Sequence, residues 1–443
     1  MRISVIGCGY LGAVHAAAMA HLGHDVVGID LDERKIALLS AGESPFFEPG
    51  LGELLADGIA SGRLRFSTSI EAARGSEVHF MALGTPQSAS GSADLSYLLT
   101  ATADLLLVLR AGDLVVGKST VPVGTAAHLS ATIEAAGATL AWNPEFLREG
   151  HAVSDTISPD RLVYGVRAGD TRSAGLLDEV YASILAAGTP RMVTDFATAE
   201  LVKVAANAFL ATKISFINAM AEIAEVAGAD VTQLADAIGQ DARIGRRFLN
   251  AGLGFGGGCL PKDIRAFMAR ADELGVGESL GFLREVDAIN LRRRDRVVEL
   301  TQQQLGGSVE GRRVAVLGLA FKPDSDDVRD SPALDVACRL VLEGARVAVT
   351  DPEAIETSRR VAPSLDFRTD VLDTATDAEV VLVLTEWKLY RDLDPAALGA
   401  VVAARTVIDA RACLPVERWT AAGWTVITPG RPVALPVAQP TFA

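Results

Sequence analysis

Residues 2 to 6, Arg-Ile-Ser-Val-Ile, run without a break into Gly7-Cys8-Gly9-Tyr10-Leu11-Gly12, and an Ala-rich stretch then leads to a second apolar run, Asp25 to Asp30. No other feature constrains the fold of this chain as much. It reads as strand, glycine turn, helix and second strand, which is the setting that G-x-G-x-x-G needs, with an acid about 20 residues on. Gly7 allows the tight turn, and Gly9 lets the backbone reach a pyrophosphate. Gly12 packs the helix on the strand, whose N-terminus then faces the phosphates. Asp30 can accept a hydrogen bond from a ribose 2′-hydroxyl and would repel a 2′-phosphate, so NAD is expected rather than NADP. The competing reading is a glycine turn that only packs, and the two strands with the acid weigh against it.

Further strands are expected at 77 to 83, 113 to 117 and 138 to 142, and each runs into a polar or Pro-rich loop. In a doubly wound sheet, ligands bind outside the carboxyl ends of the strands. The loops Gly84-Thr85-Pro86, Lys118 to Pro122 and Asn143-Pro144-Glu145 should therefore line one crevice. Thr85 and Thr120 can hydrogen-bond a cofactor or a water, or serve as ordinary turn residues. Glu145 and Glu149 bring carboxylates near, the latter alternatively a solvated charge. From Thr198 to Gly228 the pattern predicts one long helix, a spine and oligomer contact. Lys203 and Asn207, four residues apart, share a face of it. A lysine this surrounded by apolar residues either snorkels out or is held for a purpose.

Gly254-Phe-Gly-Gly-Gly-Cys-Leu-Pro-Lys-Asp263 follows a cationic stretch, Asp241 to Leu249. Its glycines permit close approach and φ > 0. Cys259, with Lys262 and Asp263 a turn downstream, is a candidate nucleophile, since the thiolate is the reactive form; a packed cysteine beside a turn is the alternative. After a charged helix (Arg284 to Gln304), strands are expected at 313 to 318, 345 to 350, 379 to 384, 405 to 409 and 424 to 427. The turn at Gly318 lacks the G-x-G-x-x-G spacing, so no second dinucleotide is expected. Lys322 is well placed to meet a phosphate of a nucleotide ligand. Cys338 reads as core, and the tail after Pro429 as loosely ordered. The expected fold class is α/β: two Rossmann-like doubly wound domains (1–195 and 301–443) joined by a central helical domain (196–300) with the long spine helix.

A net charge of −15 makes a nucleic-acid surface unexpected, and an anionic small molecule would need local Lys and Arg. Four scattered cysteines suggest a reducing compartment. No His lies beyond His151 and no Cys/His pair has zinc spacing, so no metal is expected. The uncharged run between Arg2 and Asp25 could pass for a signal peptide, but glycines interrupt it. No other segment reads as long and apolar enough to span a bilayer, so a cytoplasmic protein is expected.

Several motifs occur in order along the chain: Lys118-Ser-Thr-Val-Pro-Val-Gly-Thr125, Asn143-Pro-Glu-Phe-Leu-Arg-Glu-Gly150, Pro159-Asp-Arg161, Lys203 with Asn207, Arg243-Ile-Gly, Gly254 to Asp263, Phe321-Lys-Pro-Asp, and Asp327-Val-Arg-Asp-Ser-Pro332. With the glycine turn and Asp30, they resemble the UDP-glucose/GDP-mannose dehydrogenase family along essentially the whole chain. The resemblance implies a four-electron oxidation of a nucleotide-sugar primary alcohol to a carboxylate, with two NAD reduced. UDP-glucose going to UDP-glucuronate is the expected reaction. GDP-mannose, a UDP-N-acetylhexosamine or dTDP-glucose are the alternative substrates, and a non-catalytic nucleotide-sugar sensor is the alternative class.

By the same resemblance, Cys259 would carry a thiohemiacetal and then a thioester. Lys203 and Asn207 would stabilise oxyanions, and Asp263, helped by Thr120, would act as base or hold the water. Glu145 is a second candidate for thioester hydrolysis. Lys35, Thr85, Thr120, Glu149, Lys262 and Arg329 would contact NAD. The nucleotide sugar would meet Glu145, Phe146, Leu147, Arg148, Phe248, Leu249, Asn250, Ala251, Gly252, Gly256, Lys322 and Arg411. Arg243 would reach the substrate of a partner subunit, making a homodimer necessary. Two positions depart from the family pattern: Gly258 stands where a Ser usually precedes the cysteine, and Leu260 where UDP-glucose enzymes often carry Phe.

Overall fold

Short runs rich in Val, Ile and Ala, bounded by glycine or proline, form strands buried on both faces, as a parallel sheet covered by helices requires. The computed structural model describes residues 1–88 and 91–437. It divides into two compact units, Met1–Ala206 with Arg265–Glu278, and Asn207–Ile264 with Ser279–Ala443.

The first unit carries β1 (Arg2–Ile6), β2 (Asp25–Ile29), β3 (Leu64–Ser67), β4 (Val78–Met81), β5 (Leu114–Gly117), β6 (Thr139–Trp142), β7 (Leu162–Val166) and β8 (Arg191–Thr194). They form one sheet in the order β3-β2-β1-β4-β5-β6-β7-β8, in which only β6 and β7 pair antiparallel. The order 3-2-1-4-5-6 places the topological switch point between β1 and β4, where Ile6 pairs with Ile29 on one side and Met81 on the other. The helix Tyr10–His21 buries Ala13, Ala16, Ala17, Ala18 and Ala20, small side chains that let it lie close to the sheet. A Cβ on Gly12 would overlap the carbonyl oxygen of Gly7, which is the packing role expected of the third glycine. Strands β3, β7 and β8 have no counterpart in the sequence reading.

The second unit carries β9 (Arg313–Leu317), β10 (Arg346–Thr350), β11 (Asp366–Phe367), β12 (Val380–Val383), β13 (Thr406–Asp409) and β14 (Thr425–Ile427), in the order β11-β10-β9-β12-β13-β14. All of its pairs are parallel. The strand order of the first sheet's first six strands is thus repeated, and the α/β class with two doubly wound sheets holds. Cys338 packs at the edge of this core.

At the end of β10, Asp351 is buried and accepts from Leu319 N (2.7 Å), Ala320 N (3.0 Å), Glu353 N (3.0 Å), Ala354 N (2.9 Å) and Trp387 Nε1 (3.2 Å). It occupies the place that Asp30 has in the first sheet, but here protein donors consume the whole carboxylate.

A 32-residue helix, Phe196–Ala227, forms the spine. It corrects the expectation that no further segment is long and apolar enough to span a bilayer, since an 18-residue window of it has a mean hydropathy of 1.3. Only part of this apolar surface is covered by protein, since Ile223 and Val226 lie exposed. Ile217, Ala221 and Ala224 pack with Val231, Ala235 and Leu249. Its polar residues also bond inside the protein, Ser215 Oγ donating to Val286 O (2.7 Å) and Asn218 Oδ1 accepting from Gly252 N (2.8 Å).

The tail after Pro429 is tied down as far as it is described, correcting the reading of loose order there. Gly430 N donates to Glu225 (3.0 Å), Val231 N to Gly430 O (2.9 Å), and Ala434 bridges Val426. The remainder of that reading, 438–443, lies outside the described residues.

Replacing Asp351 with Ala leaves buried N–H groups without an acceptor and is expected to cost about 2–4 kcal/mol. Three of the four tryptophans, Trp387, Trp419 and Trp424, lie in this unit. A fall in the unfolding midpoint followed by tryptophan fluorescence is therefore the measurement, and an unmoved midpoint would contradict the role given to this carboxylate.

Candidate active site

In the first unit the chemistry gathers at the carboxyl ends of β1, β4, β5 and β6. Gly7, at φ +88°, donates its N–H to Ile29 O (2.8 Å). The backbone then enters the helix Tyr10–His21 through Gly9, which places no side-chain cap on the first turn. A Cβ on Gly9 would meet nothing within 4 Å. Open space above uncapped helix N–H groups is what a pyrophosphate needs. Asp30 closes the turn: Oδ2 accepts from Cys8 N (2.8 Å) and Lys35 Nζ (2.8 Å), and Oδ1 from Asp32 N (3.0 Å). These residues fit a dinucleotide. Cys8 itself is buried, and desolvation, helped by Asp30, pushes its thiol up to about 12, so it is no nucleophile. Tyr10 turns its hydroxyl to Glu48, which also accepts from Gly150 N (2.7 Å) and Ala152 N (2.7 Å); Leu11 packs at the core's edge.

The next loops are pinned to one another. Thr85 Oγ1 donates to Thr120 O (2.8 Å), and Ser119 Oγ to Leu83 O (2.6 Å). Lys203 Nζ lies 3.1 Å from Glu145 Oε1, with both side chains nearly out of solvent (6% and 11% exposed). Glu145 Oε2 accepts from Leu147 N (2.7 Å). The ring of Phe146 sits under Arg161 at 4.0 Å and near Lys203 Nζ at 5.8 Å. Behind this pair, Lys118 is buried and donates to Asn143 Oδ1 (3.2 Å). Burial pushes its ammonium down to about 8, with Glu145 opposing and Lys203 adding to the effect.

Lys203 is therefore held within the protein and does not snorkel to solvent. Arg148 is exposed and held by Asp155 (2.6 Å), and Glu149 is buried. Glu200, missed in the sequence, accepts from Gly124 N and Ala126 N (2.7 Å each) and fixes the loop that follows Thr120. Its only signal was an acid at the start of an apolar helix.

In the second unit, Cys259 is exposed and immediately precedes the helix Leu260–Glu273, whose Asp263 N donates to Cys259 O (2.9 Å). Asp263 is buried; its Oδ2 accepts from Asn207 Nδ2 (2.6 Å) and its Oδ1 lies 3.0 Å from Lys262 Nζ. The glycines leading to Cys259 are enforced by protein neighbours. Gly254 has φ +98°, and a Cβ on it would lie 2.5 Å from Asn290 Oδ1. That amide accepts from Phe255 N (2.7 Å) and donates to Phe255 O (2.9 Å). A Cβ on Gly252 would lie 2.6 Å from Ala410 O, and one on Gly256 would overlap Asp330 O.

Arg411 spends its guanidinium on Leu384 O (2.8 Å), Gly254 O (3.0 Å) and Phe321 O (3.1 Å). It is thus a strut for this loop. Lys322 Nζ lies 5.3 Å from the Phe321 ring, and Arg329 pairs with Asp327 (2.6 Å). Arg243 is exposed and paired with Asp241 (2.6 Å). Phe248 adopts φ +65°, Leu249 is buried, Ala251 packs on the spine core, and Asn250 Oδ1 accepts from Arg246 (2.7 Å).

Ser4 Oγ, His79 and Asp113 also line up, at 2.7 and 3.5 Å. All three are buried in the sheet, where no substrate meets the hydroxyl. Among the described residues, no group of three or more His, Cys, Asp or Glu stands together as a metal site.

A doubly wound sheet with an open glycine turn and an acid after its second strand, beside a buried Lys–Glu pair, defines a dinucleotide-dependent oxidoreductase. Residues 1–185 match the NAD binding domain of the UDP-glucose/GDP-mannose dehydrogenase family, 197–292 its central domain and 315–416 its UDP binding domain. The chain belongs to that family and is an NAD-dependent dehydrogenase. It is 41% identical to the UDP-glucose 6-dehydrogenase of Rhizobium meliloti, over 98% of this chain and 100% of that one. A UDP-glucose dehydrogenase structure from Pyrobaculum islandicum is 40% identical, with a TM-score of 0.87 over 96% of each chain. A UDP-D-ManNAc dehydrogenase structure from Pyrococcus horikoshii is 26% identical, with a TM-score of 0.84 over 97% of this chain and 99% of that one.

Replacing Asp30 with Ala is expected to weaken NAD binding about 10- to 100-fold, the worth of a hydrogen bond to a charged group. It should also narrow the preference over NADP. Titration with each cofactor measures both, and an unchanged ratio would remove Asp30 from cofactor selection.

Proposed function

We propose that the chain oxidises the C6 alcohol of UDP-glucose to the carboxylate, giving UDP-glucuronate and reducing two NAD. The observation that carries this reading is the 41% identity, over essentially both full lengths, with a relative named for UDP-glucose. The relative named for UDP-D-ManNAc stands at 26%. We also assign 1–195 to cofactor binding, 196–300 to a central helical domain and 301–443 to the nucleotide sugar.

Bound NAD supplies the hydride acceptor for both oxidations. Loss of a hydride and the hydroxyl proton turns C6 into an aldehyde. Cys259 Sγ adds to that carbon, and the alkoxide of the thiohemiacetal is stabilised by Lys203 Nζ, with Asn207 donating beside it. Loss of the second hydride leaves a thioester on Cys259. Water then attacks the carbonyl carbon, the C–S bond breaks, and the acid departs. Asp263 takes the proton of that water or holds it in place, and Thr120 assists. Glu145, 3.1 Å from Lys203, is the competing base.

Counting NADH formed per sugar consumed tests the reading. Two supports the double oxidation, one means that the thiol step is absent, and zero supports a sensor. Cys259→Ser is expected to abolish steady-state turnover while NAD and sugar nucleotide still bind. Near-normal turnover would sink the nucleophile assignment.

The reading includes a homodimer in the cytoplasm. Phe209, Phe216 and Ile223, seven residues apart on the spine helix, are 67%, 46% and 60% exposed, with Val226 at 92%. A contiguous apolar stripe of this kind is costly to leave in water. Arg243 would serve the substrate held by the opposite subunit. Phe216→Glu is expected to give monomers by sedimentation and to lower kcat at least tenfold; a stable, active dimer would place the contact elsewhere.

A further inference from the structure

The loop before Cys259 holds a second arrangement that the reaction scheme leaves unused. A Cβ built on Gly258 would lie 2.6 Å from Nη2 and 2.7 Å from Nη1 of Arg329. The guanidinium therefore rests directly on the residue next to the thiol, in space that any larger residue would fill. Two contacts keep it there. Gly257 N donates to Arg329 O (2.9 Å), tying the two backbones together. Asp327 accepts from Arg329 Nε (2.9 and 3.0 Å) and Nη2 (2.6 Å) and from its backbone N (2.9 Å). Gly258 is not among the glycines with positive φ, so its lack of a Cβ is a matter of space and not of backbone strain.

We propose that Arg329 is a positioning residue for the nucleophile: its guanidinium, seated over Gly258 one residue from the thiol, favours the anionic form of Cys259. An arginine cannot lose its proton at working pH, and a nearby cation stabilises a thiolate. Gly258 is the residue that makes the seat. This role rests on Cys259 being the nucleophile, and it is separate from any contact that Arg329 makes with a cofactor.

The neighbouring charges are themselves paired. Lys262 and Asp263, on the following helix turn, pair with each other at 3.0 Å. Asp327 offsets part of the Arg329 charge, while Lys322 stands on the Phe321 ring at 5.3 Å. Asp330 goes to Arg294 (2.6 Å), and Arg411 to Glu386 (3.4 Å) and three carbonyls. Placement before the helix Leu260–Glu273 favours the thiolate as well, but that effect is independent of residue 329. Arg329 is 65% exposed, so solvent screening keeps its share modest.

The test is the pH dependence of alkylation by iodoacetamide, in which the Cys259 sulfur bonds to the reagent's carbon and iodide leaves. The full-length chain is used with no nucleotide added, and labelling at residue 259 is read by mass spectrometry. Burial pushes the thiols of Cys8, Cys338 and Cys413 up, so their labelling is separated in the same spectra. Arg329→Gln is expected to raise the titration midpoint of Cys259 by about 0.5 to 1 unit. Below the midpoint, alkylation should then slow about three- to tenfold.

Arg329→Lys should keep most of the effect, and Gly258→Ala, whose Cβ displaces the guanidinium, should fall between. Superimposable curves for the wild type and Arg329→Gln would overturn the proposal. If Arg329→Gln does not fold, Gly258→Ala decides: an upward shift supports the role and an unmoved midpoint removes it. Alkylation needs no turnover, so its failure leaves the nucleophile assignment standing. Normal turnover of Cys259→Ser would sink that assignment without altering this titration.

Discussion

A carboxylate after the second strand of each sheet accepts the backbone N–H groups that follow the first strand's glycine, and the use of each sheet depends on how much of that carboxylate is left. Buried N–H groups must find acceptors, so a parallel strand ending in a glycine turn needs such a group. In the first sheet Asp30 takes Cys8 N, Lys35 and Asp32 N and stays 14% exposed. In the second, Asp351 takes five donors, Trp387 among them, and is 2% exposed. The first six strands of the one follow the same order as the six of the other. One sheet leaves part of its acceptor open and the other spends it on its own loops.

The spine helix meets the opposite problem, since it must carry polar groups through apolar surroundings. Unpaired, each would cost several kcal/mol to bury. Glu200 caps two N–H groups, Lys203 meets Glu145, Asn207 meets Asp263, and Asn218 takes Gly252 N. The same pairings that make the helix tolerable hold its functional groups in fixed orientations. Lys203 in particular is fixed against a carboxylate at 3.1 Å.

The elements with a local signal were legible. The glycine turn, the Val/Ile strands around it and the long helix follow from short-range periodicity, and Lys203 stood out as a charge in an apolar run. Strand β8 carries little such signal, being exposed through Arg191, Met192 and Val193, whereas β7, Leu-Val-Tyr-Gly-Val, is a buried apolar run whose signal went unread. Side-chain destinations were not legible either. Arg411 also acts as a strut on three carbonyls, partners 27 to 157 positions away in the chain. The glycines before Cys259 suggested close approach by a ligand or by another stretch of backbone. Gly254 and Gly256 in fact make room for Asn290 and Asp330, and Gly258 for Arg329.

Charge pairing explains how a chain of net charge −15 can receive an anionic nucleotide. The assigned cations rest on carboxylates: Lys35 on Asp30 (2.8 Å), Arg243 on Asp241 (2.6 Å), Arg329 on Asp327 (2.6 Å) and Arg148 on Asp155 (2.6 Å). The cation in each of these pairs is more exposed than Lys203, and pairs with an exposed partner are worth little, about 0–1 kcal/mol each. The Lys203–Glu145 pair is different, because both partners are nearly buried. Breaking it would strand a charge in low dielectric, at about 3–5 kcal/mol, so it persists while the exposed pairs exchange.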